Sequence, residues 1–336
     1  MALLFLLWMH GAFCPVPQEP ERGELCIIWY NVENLFDAED GSAASDDEFT
    51  PEGLRHWTWS RYRQKLTALA KVVIASGRGS PPEVVALCEV ENSRVLEDLA
   101  GHPILRPYRY SVLHHESADH RGMDVACLIR HGGPIHHGGR IHDGGLVQSV
   151  SWETIRFAPP VHDTRDVMHL WFPWNGDTLD LFLVHLMSRY GGAGATANLR
   201  RSQAGQLVRL MDSVHTCRAG GVMLLAGDFN SEYSDYALEP LRTARFGADT
   251  LVPLITGGKQ GSYKYRGRWS LIDQVLVTGS VSPASIMAAP LDLSPLLTVD
   301  LQYGGMKPLR TYVGYRYTGG ISDHLPLVID LDLPFF

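Results

Sequence analysis

Five apolar runs in this chain end on side chains that could handle a proton or a metal ion. Residues 222–227 lead into Asp228-Phe229-Asn230. On an extended segment, residues two apart point the same way. A carboxylate so placed can take a proton from a water that the amide orients. An Asx turn after a strand would use the same pair for purely structural ends. Residues 84–88 deliver Glu89, with Glu91 two positions on and on the same side by strand periodicity. A carboxylate at that point is costly unless paired or metal-bound. Residues 181–184 deliver His185. Arg189, Arg200 and Arg201 follow it, which favours an anion site over a satisfied core imidazole. Residues 27–30 run into Asn31, whose amide could fix an oxygen ligand or simply make a turn.

The fifth constellation comes in two pieces. Asp273 lies within the strand-like run 270–277, and Ser322-Asp323-His324 precedes the last apolar run. A buried Asp needs a cationic partner or hydrogen bonds. His324 is the natural partner: Asp273 would hold its tautomer and support the imidazolium. Asp323 is then left to face a metal. Two basic-aromatic arms stand just before these pieces, residues 263–269 and 310–317. If both pieces end at one site, Lys264, Arg266 and Tyr317 line its rim. Aromatic faces and cations suit stacked bases and phosphates. They would suit a sugar phosphate or a lipid headgroup as well. The His-rich stretch around His114, His136, His137 and His142 is read as a loop rather than a metal site.

These residues need a scaffold. Strands are predicted near residues 25–30, 84–88, 108–113, 125–129, 179–186, 222–226, 271–277 and 327–331. Apolar residues recurring at helical spacing predict helices over about 60–76 and 195–216. The strands do not alternate strictly with helices, so the expected fold is α/β with mixed sheets. The acidic stretch 41–51 reads as a surface loop. One domain is expected from residue 24 to 336. Residues 1–23 read as an export signal and spacer, placing the protein in the periplasm or outside the cell; without cleavage and export it would be cytoplasmic. The apolar segment at residues 2–9 is too short to cross a bilayer, which needs roughly 20 residues. Cys26, Cys88 and Cys127 fall in apolar runs and read as buried thiols. With 29 basic and 37 acidic residues the net charge is −8, so bulk charge cannot attract nucleic acid. A phosphate-bearing substrate must be held locally, with a cation.

Taken in chain order, Asn31, Glu89, His185, Gly227-Asp228-Phe229-Asn230, Leu271-Ile272-Asp273 and Ser322-Asp323-His324 resemble the endonuclease/exonuclease/phosphatase superfamily. The stretches 29–37, 121–126 (with Arg121) and 185–192 resemble its bacterial branch. The resemblance implies a four-layer α/β/β/α sandwich with two mixed β-sheets. It also implies roles. Glu89 would ligate a metal beside Asn31, with Asp323 contributing. Asp228 and Asn230 would activate and orient water. His185 would contact phosphoryl oxygens, and His324 with Asp273 would stabilise the transition state or protonate the leaving group. Arg121 and Arg189 would bind substrate. Oxygen donors suit Mg²⁺ or Mn²⁺ rather than zinc. The expected activity is that of a nuclease hydrolysing phosphodiesters. The alternatives are a phosphatase or a sphingomyelinase-like phosphodiesterase, and last a phosphate-binding module without catalysis. No stable membrane insertion is expected, and the oligomeric state is left open.

Overall fold

The computed structural model describes residues 24–41, 46–77, 80–131, 150–161, 163–174, 177–218, 221–255, 261–278 and 285–332. The apolar start of the chain, Cys14, and His136, His137 and His142 lie outside the described residues. The early strands are β1 (Glu24–Leu35), β2 (Val84–Val90), β3 (Tyr110–His114), β4 (Asp124–Arg130), β5 (Ser151–Ile155), β6 (Val167–Trp174), β7 (Asp177–His185) and β8 (Val222–Asp228). Then come β9 (Leu251–Pro253), β10 (Tyr263–Tyr265), β11 (Arg268–Ser270), β12 (Asp273–Thr278) and β13 (Ile286–Pro290). The last are β14 (Leu297–Val299), β15 (Met306–Pro308), β16 (Tyr312–Val313), β17 (Arg316–Tyr317) and β18 (Leu327–Asp332). The α-helices are α1 (Trp59–Ser76), α2 (Ser93–Ala100), α3 (Ala193–Cys217) and α4 (Glu239–Thr243). None of these helices is long and apolar enough to cross a membrane.

One six-stranded sheet has the order β13-β18-β1-β2-β4-β3, the other β5-β6-β7-β8-β12-β9. Both are mixed: β1 with β2 and β7 with β8 run parallel, and their other partners run antiparallel. The apolar runs lack polar alternation because both of their faces are covered. In β1, Leu25, Ile27 and Trp29 enter the core between the sheets, while Ile28, Tyr30 and Val32 enter the core under α1 and α2. In β7, Leu181 and Leu183 face the first sheet, whereas Phe182 and Val184 pack beneath α3. Successive residues point to opposite faces, so three stacked cores give the four layers α/β/β/α.

The two predicted helices form as α1 and α3 with small shifts at their ends, and α2 and α4 were not anticipated. Thr58 caps α1 by accepting from the Arg61 backbone N–H, and Asn92 caps α2 by accepting from Val95. The third strand starts at Tyr110 rather than 108, because Arg106–Tyr108 is a 3-10 turn that ends on left-handed Arg109. The expected 41–51 surface loop is only partly exposed: Asp46, Phe49 and Thr50 are buried and Phe49 stacks on Phe36.

Candidate active site

Three neighbouring strands of the second sheet put their ends together. His185 on β7 is in register with Asp228 on β8, and Asp273 on β12 is opposite the same Asp228. Gly227 makes this close fit. A Cβ there would lie 2.3 Å from the Val184 carbonyl, so any side chain would lift β8 off β7. His185 Nε2 consequently lies 3.6 Å from Asp228 Oδ2. From the loop before β18, His324 brings Nδ1 to 2.6 Å from Asp273 Oδ2 and Nε2 to 3.9 Å from Asp228 Oδ2. The other Asp273 oxygen accepts from the Trp29 indole N–H at 3.0 Å, across the inter-sheet core.

The first sheet supplies the facing wall. Asn31 Nδ2 donates to both Glu89 Oε1 and Asp228 Oδ2, each at 3.1 Å, and Asn31 Oδ1 accepts from the Glu33 N–H. The chemistry fixes this orientation, since two carboxylates need donors and a backbone N–H needs an acceptor. Asn31 therefore bridges the two carboxylates, next to the Glu89 that was expected to ligate the metal. Glu89 Oε2 accepts from the Asn34 N–H. Ser322 ties the two walls: its hydroxyl donates to the Asn31 carbonyl and accepts from the His324 N–H. Among the described residues, four of the eight non-glycine positions in the left-handed region line this cleft: Glu33, Asn34, Glu89 and Asn230. Such backbone costs on the order of 1–3 kcal/mol per residue and persists where the surroundings enforce it.

Electrostatics separate the two imidazoles. Burial alone would lower His324, but Asp273, Asp228 and Asp323 more than reverse this and hold it well above its ordinary value. His324 is thus a cation at neutral pH. Burial, reinforced by Arg165 and Arg121, pushes His185 well below its ordinary value, so it is neutral. Burial and the neighbouring Asp273 raise Asp228 to about 7, against the pull of His324 and of hydrogen bonds from Asn230 and Asn31. Asp228, Asp273 and His324 offer atoms close enough to share a metal. The oxygens of Asp273 are already taken by Trp29 and His324, however, so this trio reads as an acid-base set. Glu89, with hydrogen bonds on both oxygens but a partly exposed carboxyl, and Asp323 are the better hard-cation donors.

Other expected residues fall differently. Glu89 has φ +63 and sits at a bulge, so the period of two breaks and Glu91 turns away to accept from the Asp37 N–H. Asn230 is left-handed: its N–H caps the Asp228 carboxylate at 2.8 Å and its side-chain amide donates to Leu186. The Asx turn and the polar pair are one and the same structure. Asp323 is ion-paired at 3.1 Å with Arg310, whose Nε also holds Glu33. Arg310 opens the second basic-aromatic arm and is the part of it that reaches the site; Glu33 was not singled out, and a buried acid two residues past Asn31 was the available signal. Arg121 bonds Asp119, which also pairs with buried Arg165, and the two arginines face His185.

Lys264 does not reach the cleft. Strand alternation turns it inward onto Asp300, 3.0 Å away. Arg266 sits at the β10–β11 turn over Tyr265. Tyr317 packs with Trp57 and Tyr312 under Arg61, so that end of the second arm closes the α1 side, while Arg310 at its other end reaches Asp323 and Glu33. Arg200 is buried, bonding Ser231 and the Met187 carbonyl, and Arg201 pairs with Glu239. Neither forms the expected anion site. Arg189 does stay beside the cleft, holding the Asn230 carbonyl and Asp235. It borders a cavity of about 740 Å³ lined also by Asn230, Tyr190, Tyr263, Tyr265 and Arg268.

The sequence profile described as "Endonuclease/Exonuclease/phosphatase family" matches residues 26–333. No curated protein matches the chain. Among solved structures, D. rerio TDP2 complexed with single-strand DNA product is similar at 15% identity and TM-score 0.52. That match covers 93% of this chain and 100% of the other. A mannosyl-6-phosphatase of Bacteroides thetaiotaomicron is similar at 15% identity and TM-score 0.52, covering 91% and 98%. The human Nocturnin catalytic domain with bound sulfate is similar at 16% identity and TM-score 0.51, covering 92% and 94%.

Proposed function

The chain belongs to the endonuclease/exonuclease/phosphatase family, and from that premise we propose that it is a divalent-metal-dependent phosphodiesterase acting on nucleic acid. The observation that carries this is the convergence of Glu89, Asp228, Asp273 and His324 from separate strands and loops of both sheets. A pure binding module has no use for a buried carboxylate held near neutrality beside a buried imidazolium.

The donor set fits a hard ion. Glu89 and Asp323 would hold Mg²⁺ or Mn²⁺, which prefer carboxylate oxygen and keep places for water and phosphate. When bound, the ion would polarise the phosphoryl oxygen and offset charge. Asp228 accepts the proton of the attacking water. Asn230 and Asn31 fix the Asp228 carboxylate. His185, being neutral, donates an N–H to a phosphoryl oxygen. His324 stabilises charge at the transition state or protonates the leaving oxygen, steadied by Asp273.

Purified protein with Mg²⁺ or Mn²⁺ is expected to cleave plasmid or single-stranded DNA faster than sphingomyelin or sugar and inositol monophosphates. EDTA should abolish cleavage. Equal rates after EDTA defeat the metal requirement, and a preference for monoesters replaces the nuclease reading with a phosphatase. That second reading has one observation in its favour. The cavity has a volume in the range of small-molecule sites, and Arg189 and Arg268 in it are already paired with Asp235 and Glu232.

Because only ionised Asp228 can take a proton, kcat/KM should fall as pH drops through about 7, or lower once a cation is near. A rate independent of pH between 5 and 8, under conditions where chemistry limits, would remove Asp228 from that role.

A further inference from the structure

The ends of β1 and β2 that carry Asn31 and Glu89 run on together into a second acidic centre. The Glu91 N–H donates to the Leu35 carbonyl, and Glu91 Oε2 accepts from the Asp37 N–H at 2.7 Å. Carboxylate oxygens of Asp40, Asp46 and Asp47 lie within 4.8 Å of one another, and the Glu91 carboxyl lies against Asp46. Asp37 stands beside them, its own oxygens taken by the Glu39 N–H and by Asn92.

An acidic cluster alone means little on a surface. Here one member is a buried anion left incomplete. Asp46 is 1% exposed; its Oδ2 accepts from the Gly41 N–H, while Oδ1 is buried and accepts from no N–H or hydroxyl among the described residues. What does face Asp46 is another carboxylate, Glu91, itself buried. Among the described residues no basic side chain pairs with Asp40, Asp46, Asp47 or Glu91. Arg94 and Arg55 pair instead with Glu39 and Glu48. A buried unpaired carboxylate is costly, and two in contact are worse. A shared proton or a bound cation must complete the group, and the oxygens of Asp40 and Asp47 gathered on Asp46 favour a cation.

We propose that Asp40, Asp46, Asp47 and Glu91 bind a structural calcium ion, separate from the catalytic cation. Four carboxylates from an irregular loop and a strand end suit Ca²⁺, which takes 6–8 oxygens in a flexible shell, better than octahedral Mg²⁺. The ion would tie Asp40, Asp46 and Asp47 to Glu91, two residues past Glu89, and so set where β2 ends.

The test uses the full chain stripped with EDTA, then CaCl₂ alone as probe. Isothermal titration should count one more Ca²⁺ in the wild type than in the D40N/D47N double variant, whose changes are on exposed side chains. Millimolar CaCl₂ should raise Tm by about 5 °C in the wild type, and by little in the double variant. The same rise should persist in E89Q, where the catalytic cation is weakened. MgCl₂ at equal concentration should do less. A Tm response lost in E89Q but kept in D40N/D47N overturns the second site while leaving the proposed function intact. So does an absence of any calcium response, which would mean that Asp46 and Glu91 share a proton. An equal response to magnesium overturns the choice of ion.

Discussion

Asp228→Asn should lower turnover by ~10²–10⁴, the usual loss for a removed general base. The substitution keeps the shape of the side chain and its place between β7 and β12. It removes the anion that accepts from Asn31 and Asn230, and with it the proton acceptor that burial holds near neutrality. KM should change much less than kcat, because the loss falls on the chemical step. Stability should hold or improve, since a buried charge has been taken out beside Asp273. The assay is single-turnover hydrolysis together with thermal melting. A variant that keeps most of its rate would show that water is activated elsewhere.

His324→Ala should cost a similar factor, ~10²–10⁴, for a different reason. It deletes a cation placed within 4 Å of both Asp228 and Asp273, the only one so placed among the described residues. Asp273 is then left buried with the Trp29 indole as its one side-chain partner, so the variant should also melt earlier. Two companions separate catalysis from folding. Asp273→Asn keeps the packing but stops holding the imidazole as a cation, and should lose most of the rate. Trp29→Phe keeps the ring in the inter-sheet core and removes one hydrogen bond, and should lose far less than His324→Ala. If Trp29→Phe were as damaging as His324→Ala, the dyad would be acting through architecture and not through charge.

Much of the site could be read from the chain because burial makes its own demands. Runs such as residues 222–227, apolar at every position, can only be strands covered on both faces, and a polar residue at the end of one must have a purpose. Asp273 within such a run called for a cation, and His324 supplied it over 51 residues. The mixed sheets followed from strands too closely spaced for helical crossovers.

What stayed hidden depended on backbone turns or on distant pairing. Periodicity assumes extended chain, and left-handed Glu89 breaks it, so Glu91 was placed on the wrong side. Lys264 has the composition of a substrate contact, but Asp300, 36 residues on, claims it through an ion pair with no local signal. Tyr317 went the same way, into the Trp57 cluster. The bridge from Arg310 to Glu33 and Asp323 spans 277 residues on one side and 13 on the other, and nothing near Glu33 announces it. β6 escaped because His169 interrupts its apolar run; in the fold that ring is buried against Asp180 and stacked on Phe182.

The indole of Trp29 belongs to one sheet and its N–H to the chemistry of the other. Any breathing motion that parts the two layers therefore uncouples the imidazolium from its properly held carboxylate, even while each sheet keeps all of its own ladder bonds. Competence to hydrolyse is in this sense a property of the closed sandwich and of neither half.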